Sequence, residues 1–296
     1  MSADTSPVPL TPALLRSWGL PKDASSKYER GQVLVVGGAR QTPGAVLLTG
    51  VSALRVGAGR LTLAVAASVA PALAVAVPEA GVVGLEEGPG GAVLGRGGSA
   101  LADDLASSDV VVVGPGLDDA DEAAALLEAV APHVGDSTDV LLDAYALGVL
   151  PRVAEAVEPL RGRLVLTPNP AEAARLVGCE ADDLDDPADL LAGLRDVADR
   201  YGAVVTCQGL VVAPGGDAWS LTTGTGGLAT SGSGDVLAGA VAGLRARGVS
   251  ADRAAAWGTH VHAVAGDRLT SSVGAFGFLA RELAAELPRV VAELSA

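Results

Sequence analysis

The chain has 296 residues, of which 49% are hydrophobic, and its formal net charge at pH 7 is −15. This length and apolar content suffice for one large core, so we expect a single domain over residues 1–296. The negative charge argues against a nucleic-acid partner, because nucleic-acid phosphates require a basic protein surface. Prolines and charges dominate the N-terminal end, and we expect residues 1–27 to be the loosest segment.

The lysines and cysteines exclude several kinds of site. Only two lysines occur, Lys22 and Lys27, and both precede the first apolar run, so the chain has no Walker-type phosphate loop and no core Schiff-base lysine. Cys179 and Cys207 form no C-x-x-C pair, which is typical of buried thiols in a reducing compartment. The first thirty residues lack the apolar region of a signal peptide, and the most apolar stretch is shorter than the ~20 residues of a membrane helix. We therefore expect a cytoplasmic protein without a membrane partner.

Short β-branched runs alternate with Ala- and Leu-rich segments of helical spacing along the chain. Because these runs lack polar alternation, they are typical of parallel strands that helices cover on both faces. They span residues 32–38, 60–65, 109–114, 139–144, 163–168 and 203–207. Residues 210–223 differ, since two strand-like pieces flank the turn sequence PGGD. The sequence thus predicts an α/β fold with a mostly parallel central sheet, helices on both faces and a late antiparallel hairpin near the sheet edge.

Glycine-rich or polar motifs follow four of the predicted strands. They are GGARQTPGA (37–45), GPGL (114–117), DAYAL (143–147) and TPNPAE (167–172). In a doubly wound sheet, ligands bind outside the carboxyl ends of the strands. A single glycine turn is usually structural, because βα loops often need a positive φ. Several such motifs at one edge of the sheet predict a ligand site there.

The sequence GSGD (232–235) precedes a segment whose large apolar residues have helical spacing from Val236 onward. We expect this helix to begin at about Asp235 and to end near Arg245, Arg247 and Gly248. An isolated Asp before a helix usually caps it. Gly232 and Gly234, however, leave backbone N–H groups uncovered at the positive end of a helix, where an anion such as a phosphate binds. Asp235 is therefore a candidate for chemistry beside a phosphate site.

Asn169 and Glu172, within NPAE (169–172), allow two interpretations. In the first, they form a turn that feeds a helix, and Glu172 favours the N-terminal end of the helix dipole. In the second, the pair orients water around a magnesium ion on nucleotide phosphates. The presence of GSGD further along the chain favours the second interpretation.

Three other motifs are interpreted as structural. GTGGLA (224–229) fits a dinucleotide-binding pattern but follows a late hairpin instead of opening the first βαβ unit. His260 and His262 lie two residues apart, so on a helix they point to different faces and make a poor metal pair. We expect both to have packing or surface roles. The acidic run 180–190 lacks calcium-loop spacing and instead provides Asp186 as the N-cap of a helix.

The order and spacing of these motifs resemble those of a known enzyme group. GSGD before a small-residue helix, with NPAE upstream, resembles the ribokinase-like superfamily. Approximately residues 25–290 are similar to the ADP- or ATP-dependent NAD(P)H-hydrate dehydratases. The segments that carry this similarity are GQVLVVGGARQTPGAVLLTGVSALRVGAGRLTLAV (31–65), VVVGPGL, LLDAYAL, LTPNPAEAARLVG and GTGGLATSGSGDVLAGAVAGLRARG. The resemblance implies a ribokinase-like fold and an enzyme that repairs hydrated NADH or NADPH. In that reaction the nucleotide activates the hydroxyl on the damaged nicotinamide ring, so that phosphate leaves and the double bond returns.

The resemblance also implies roles for individual residues. It places Ala45 and Gly116 against the hydrate, Asn169 near it, and Asp235 at the reacting hydroxyl. It places the ADP or ATP against Gln208, Gly209, Leu210, Val211, Val212, Gly232 and Gly234. Asp235 would be the base that takes the hydroxyl proton, while the N–H groups of Gly232 to Gly234 would hold the transferring phosphoryl group. Glu172 would contact Mg²⁺ through water.

Three residues depart from the usual pattern of this family. The family usually has His at the position of Asn169, a second Asp at that of Tyr145, and Lys at that of Gln208. The neutral amide of Gln208 can hydrogen-bond a phosphate oxygen but lacks the cationic attraction of Lys. Arg40, in the first glycine loop, is a candidate to replace that positive charge.

Two further functions stay open from the sequence. GSGD and NPAE serve equally well in a ribokinase-like kinase for a small hydroxylated molecule such as a vitamin precursor. Gln208 and Tyr145 are compatible with a nucleotide-binding protein of weakened catalysis. The N-terminal block from GGARQTPGA to RVGAG favours the dehydratase. The resemblance to that family implies hydrated NAD(P)H as substrate, ADP or ATP and Mg²⁺ as cofactors, and a homo-oligomer as the assembly.

Overall fold

A computed structural model describes residues 6–21, 24–221, 223–224 and 226–295. Ten strands in these ranges form one sheet, in the order β1-β10-β9-β8-β7-β6-β5-β2-β3-β4. The strands are β1 Val8–Pro9, β2 Gln32–Val36, β3 Arg60–Ala66, β4 Ala80–Leu85, β5 Val110–Val113, β6 Asp139–Leu142, β7 Leu164–Leu166, β8 Ala203–Cys207, β9 Leu210–Val212 and β10 Ala218–Ser220. All six predicted parallel strands and the hairpin are present.

The pairing of the strands is parallel except around the hairpin. Strand β9 runs antiparallel to both β8 and β10, and the other neighbouring pairs are parallel. The predicted mostly parallel sheet with a late antiparallel hairpin is therefore confirmed. The sequence interpretation missed β1, which has only two residues, and β4, which carries two glycines in the run AGVVGL.

Twelve α-helices in the described ranges cover both faces of the sheet. They are α1 Pro12–Trp18, α2 Pro43–Arg55, α3 Ala70–Ala76, α4 Ala102–Ser107, α5 Ala120–Val130, α6 Tyr145–Val149, α7 Ala154–Val157, α8 Pro170–Val177, α9 Pro187–Tyr201, α10 Ser233–Ala246, α11 Ala251–Ser272 and α12 Ala280–Ser295. Successive residues of β2 point into two different cores: Leu34 packs toward α5, α6, α8 and α9, while Val35 packs toward α2, α10, α11 and α12. Both faces of the strand are thus apolar, as the continuous Val and Leu runs predicted.

Helices α2 and α10 approach each other closely through glycines. A Cβ atom on Gly239 would lie 2.1 Å from the carbonyl oxygen of Thr49, and one on Gly243 would lie 2.4 Å from that of Ala53. No larger residue fits at either position unless the helices separate. This contact fixes the N-terminal end of α10 beside the N-terminal end of α2, where the first glycine loop lies.

Much of the N-terminal segment that was predicted to be loose belongs to the folded structure. Strand β1 pairs with β10, and the side chains of Leu10 and Leu15 are buried. Thr11 caps α1, because its hydroxyl accepts the backbone N–H of Leu14 at 3.2 Å. The prediction failed because a two-residue strand and a two-turn helix are too short to show a periodic pattern. Residues 1–5 and 22–23, which include Lys22, lie outside the described ranges.

The structure bears on the predictions about membrane-spanning helices and about the two cysteines. None of the helices in the described ranges combines the length and the low polarity that a membrane span requires. Cys179 and Cys207 are both free, and Cys207 is buried. The interpretation of the cysteines as buried thiols is confirmed for Cys207, whereas Cys179 is only half-buried.

Candidate active site

The loops after β2 and β5 bring Ala45 and Gly116 together. The hydroxyl of Thr42 donates to the carbonyl oxygen of Gly116 at 2.7 Å. Gly116 has a φ of 68°, and a Cβ atom there would lie 2.3 Å from the carbonyl oxygen of Thr42 and 3.1 Å from the Cβ of Ala45. Only glycine suits this backbone conformation and this close approach. Both residues are half-buried, so they form a narrow surface at the carboxyl edge of the sheet.

Arg40, in the same loop, is already paired with an acid. Its guanidinium lies 2.6 Å from a carboxylate oxygen of Glu87 and also donates to the carbonyl oxygen of Pro89 at 3.3 Å. Glu87 further accepts the hydroxyl of Ser68 at 2.8 Å, which holds the acid in place. The positive charge of Arg40 is thus already balanced by an acid in the loop after β4.

Asp143, directly after β6, is a buried acid that the sequence interpretation did not single out. Its carboxylate accepts the hydroxyl of Thr167 at 2.9 Å, and burial raises the pKa of Asp143 to about 6. The following residue, Ala144, has φ 50° and ψ −123°, a conformation that non-glycine residues rarely adopt. The position of Asp143 at the end of an apolar strand was the signal that could have identified it.

Asn169 and Glu172 form a reciprocal capping box at the start of α8. The Asn169 side chain accepts the backbone N–H of Glu172, and the Glu172 carboxylate accepts that of Asn169, both at 2.9 Å. Burial, with a further contribution from the charge of Asp143, raises the pKa of Glu172 to about 7. The structural interpretation of NPAE is therefore confirmed, and within this capping box Asn169 is exposed and Glu172 is half-buried.

Helix α10 begins two residues earlier than the sequence predicted. Its N-cap is Gly232, with a φ of 87°, so Asp235 is the third helical residue and not the cap. The error arose because glycines are poor helix formers, so a start between two of them is not evident from periodicity. The backbone N–H of Ser233 donates to the carbonyl oxygen of Thr230 at 3.1 Å, whereas those of Gly234 and Asp235 have no acceptor in the described chain. The open amides are therefore those of Gly234 and Asp235.

The Asp235 carboxylate is half-buried and accepts no hydrogen bond from any described residue. Burial, and secondarily the charge of Asp143, raises its pKa to about 7. Leu48 of α2 lies against this turn, because its side chain would be 2.6 Å from a Cβ atom on Gly232. Since Ala45 precedes Leu48 by one helical turn, the surface formed by Ala45 and Gly116 lies at the same end of α2 as Asp235.

The segment Gln208–Val212 is brought only partly to this edge. Gln208 and Gly209 form the tight turn between β8 and β9, both with positive φ (47° and 81°), and the Gln208 side chain is exposed. Leu210 is half-buried at the start of β9. Val211 and Val212 are fully buried, one in each core, because β9 lies between β8 and β10. Their side chains are therefore turned into the two cores, and any contact of these two residues with a nucleotide would be through the backbone.

The described residues contain no group of three or more His, Cys, Asp or Glu side chains that could hold a metal ion. A magnesium ion on nucleotide phosphates needs fewer protein ligands, because phosphate oxygens and waters complete its shell. Asp143 and Glu172 supply carboxylate oxygens close enough for one charge to raise the pKa of the other group. This donor set fits a magnesium ion of that kind.

Comparisons with known proteins agree over nearly the whole chain. A family model described as NAD(P)H-hydrate dehydratase matches residues 33–289. The ADP-dependent (S)-NAD(P)H-hydrate dehydratase of Xanthomonas campestris is 43% identical over 96% of both chains. The chain spans about half the length of other relatives, which are named bifunctional NAD(P)H-hydrate repair enzymes.

Solved structures show the same fold. The ADP/ATP-dependent NAD(P)H-hydrate dehydratase of Bacillus subtilis, co-crystallised with ATP and Mg²⁺, matches with a TM-score of 0.79 and 26% identity, over 99% of this chain and 100% of that one. A ribokinase-like superfamily protein from Enterococcus faecalis matches with a TM-score of 0.80 and 22% identity, over 100% and 98%. The predicted ribokinase-like fold is confirmed.

Proposed function

This chain belongs to the NAD(P)H-hydrate dehydratase family, and we propose that Asp235 is the base in its nucleotide-dependent dehydration of hydrated NADH or NADPH. The environment of the Asp235 carboxylate supports the proposal. The carboxylate is half-buried, accepts no hydrogen bond from a described residue, has a pKa raised to about 7, and lies beside two open backbone amides. A general base works best with a pKa near the working pH, and burial supplies that here.

The chemistry proceeds in two parts. Asp235 takes the proton of the ring hydroxyl. The hydroxyl oxygen then attacks the terminal phosphoryl group of ATP or ADP, and the phosphoanhydride bond breaks to release ADP or AMP, respectively. The adjacent ring C–H proton then passes to water, and phosphate departs with the C–O bond electrons, which restores the double bond. The amides of Gly234 and Asp235, at the positive end of α10, stabilise the negative charge of the transferring group.

The remaining site residues bind and orient the reactants. Ala45 and Gly116 contact the hydrate, since their lack of bulk leaves room for a ring beside α10, and Asn169 lies near it. The nucleotide lies along Gln208, Gly209 and the open turn at Gly232 and Gly234. Glu172, with Asp143, would hold a magnesium ion, directly or through water, and such an ion would neutralise charge on the phosphates.

The proposal also covers the compartment, the oligomeric state and the absence of a nucleic-acid partner. We place it in the cytoplasm, as a homo-oligomer that binds no nucleic acid. The free thiols and the net charge of −15 support the compartment and the absence of a nucleic-acid partner. The side chains of Val273, Phe276 and Leu279 are exposed on one segment, and Phe276 is 97% exposed, which supports a self-association surface. Light scattering after size-exclusion chromatography measures the assembly directly.

One observation favours a second candidate, a nucleotide-binding protein with weakened turnover. Gln208 carries no charge, and Arg40, the candidate to replace the positive charge of the lysine usual at this position, is already paired with Glu87. Weak phosphate binding would then limit the reaction.

A single assay separates the candidates. Purified protein is mixed with hydrated NADH, Mg²⁺ and either ADP or ATP, and the absorbance of reduced nicotinamide is followed. Nucleotide-dependent recovery of absorbance is the expected result. Nucleotide binding in calorimetry without turnover of the hydrate would instead identify the weakened binding protein, and nucleotide-dependent phosphorylation of a small alcohol without turnover of the hydrate would identify a kinase.

A further inference from the structure

His262, on α11, makes a direct contact with the turn that carries Asp235. Its Nε2 atom lies 3.0 Å from both the hydroxyl and the carbonyl oxygen of Ser233. Both side chains are buried, with 7% and 4% of their surfaces exposed. Because a carbonyl oxygen only accepts hydrogen bonds, Nε2 carries the proton and donates it to Ser233. Burial lowers the pKa of His262 to about 4, so the ring is neutral at physiological pH and keeps this role.

The start of α10 lacks the usual means of fixing a helix end. The N-cap, Gly232, has no side chain, and no side-chain cap hydrogen bond is present. A capping residue could not replace it, because a Cβ atom there would lie 2.6 Å from Leu48 and 3.1 Å from Ala280, at a φ of 87°. The first turn is held instead by the bond from Ser233 to Thr230 and by His262 from the neighbouring helix.

We propose that His262 is a positioning residue for the dehydration: by holding Ser233 it fixes the amides of Gly234 and Asp235, and the Asp235 carboxylate, against the reacting groups. This role rests on the proposed function. Ser233 precedes the two open amides directly, so a shift of Ser233 moves them together. A displacement of about 1 Å at reacting groups costs on the order of 100-fold in rate, which makes such a support decisive.

His260 provides a matched control on the same helix. It is also buried, at 3% exposure, but points to a different face toward Pro12, Val264 and Val290. Its Nδ1 atom has no hydrogen-bond partner in the described chain. Replacing His260 by Leu therefore removes a buried ring without touching the turn at Ser233.

The experiment compares His262→Leu, His262→Gln and His260→Leu with the parent. In His262→Leu we expect kcat to fall about 10- to 100-fold, with a smaller change in KM for the hydrate, since the misplaced groups act on the transferring phosphoryl group. The Gln amide nitrogen occupies the position of Nε2, so His262→Gln recovers most of the lost rate. His260→Leu keeps the parent kcat. Melting temperatures show whether a loss of rate follows a loss of folding instead.

Hydrogen exchange of the Ser233 and Val236 amides, which donate to the carbonyl oxygens of Thr230 and Gly232, gives a second measurement that needs no activity. His262→Leu should accelerate their exchange in the free protein, while His262→Gln and His260→Leu should not. Unchanged exchange in His262→Leu overturns the proposal, and so does parental kcat in that variant despite faster exchange. An inactive parent would refute the proposed function instead, and exchange alone would then decide whether His262 holds the turn.

Discussion

Replacing Asp235 by Asn should inactivate the enzyme and at the same time stabilise its fold at alkaline pH. The substitution keeps the size of the side chain but removes its ability to take a proton, and a general base contributes about 10²–10⁴ in rate. An amide also carries no charge to be desolvated. The two effects have opposite signs, so they separate a catalytic role of Asp235 from a purely structural one.

The stability change follows from the pKa of the carboxyl group. Folding raises the pKa of Asp235 from 3.8 to about 7, through burial and the charge of Asp143. Between these values the folded protein keeps a proton that the unfolded chain has released, so stability falls as the pH rises through this window and stays reduced above it. At 1.36 kcal/mol per pKa unit, the ceiling of this penalty is about 4 kcal/mol.

Two effects reduce the gain expected from Asn. The side chain is half-buried, so solvent screens part of the penalty, and the lost interaction of the carboxylate with the N-terminal end of α10 costs up to ~1 kcal/mol. We expect a net gain of about 1–2 kcal/mol at pH 8, or a rise in Tm of about 2–5 °C for a chain of this size. At pH 5.5 the gain should be smaller, because the parent carboxyl group is then largely protonated in the folded state.

Thermal denaturation of parent and variant at pH 5.5 and pH 8, without nucleotide or Mg²⁺, measures the effect. Asp252→Asn serves as the control, because Asp252 is also in the first turn of a helix, α11, and its replacement should give no gain at pH 8. A variant that melts below the parent at pH 8 would refute the penalty assigned to the Asp235 carboxylate. Retention of most of the hydrate-repair activity would refute its role as the base.

Three other substitutions test separate parts of the structure. Asp143→Asn should move the acid limb of the pH profile of kcat/KM to lower pH, because the charge of Asp143 raises the pKa values of Asp235 and Glu172; an unmoved limb contradicts this coupling. Gln208→Lys should tighten ADP or ATP by about 1 kcal/mol, less at high salt, in calorimetric titration. Because a positive φ strains Lys and Gln alike, the substitution should not disturb this turn. Unchanged affinity would therefore mean that the phosphates lie away from position 208. Gly239→Ala should lower the unfolding free energy by about 1–3 kcal/mol in denaturant titration, because its Cβ would lie 2.1 Å from the Thr49 oxygen. Gly148→Ala, whose Cβ would meet no atom within 4 Å, should not.

The sequence by itself determined the sheet and indicated where a candidate site would lie. Runs such as VVVV in β5 are apolar on both faces, and only a strand covered by helices on both sides buries them completely. The order of the motifs along the chain then predicted a ligand site at the carboxyl edge, because parallel strands place their following loops at one edge. Asp235 and Glu172 were singled out as candidates from local pattern, since helix starts have recognisable chemistry.

Only the tertiary structure decided the pKa values of the acids, the start of α10 and the contact that holds its first turn. Asp143, Glu172 and Asp235 come from three separate parts of the chain, and the raised pKa of Asp235 depends on burial and on the charge of Asp143, neither of which is a property of its neighbours in sequence. The start of α10 at Ser233 depends on a left-handed Gly232 wedged against Leu48 and Ala280. His262 contacts Ser233 across 29 positions of chain. Pattern and propensity report on the nearest few residues, whereas desolvation, like-charge repulsion and hydrogen bonds between helices arise only when distant segments pack together.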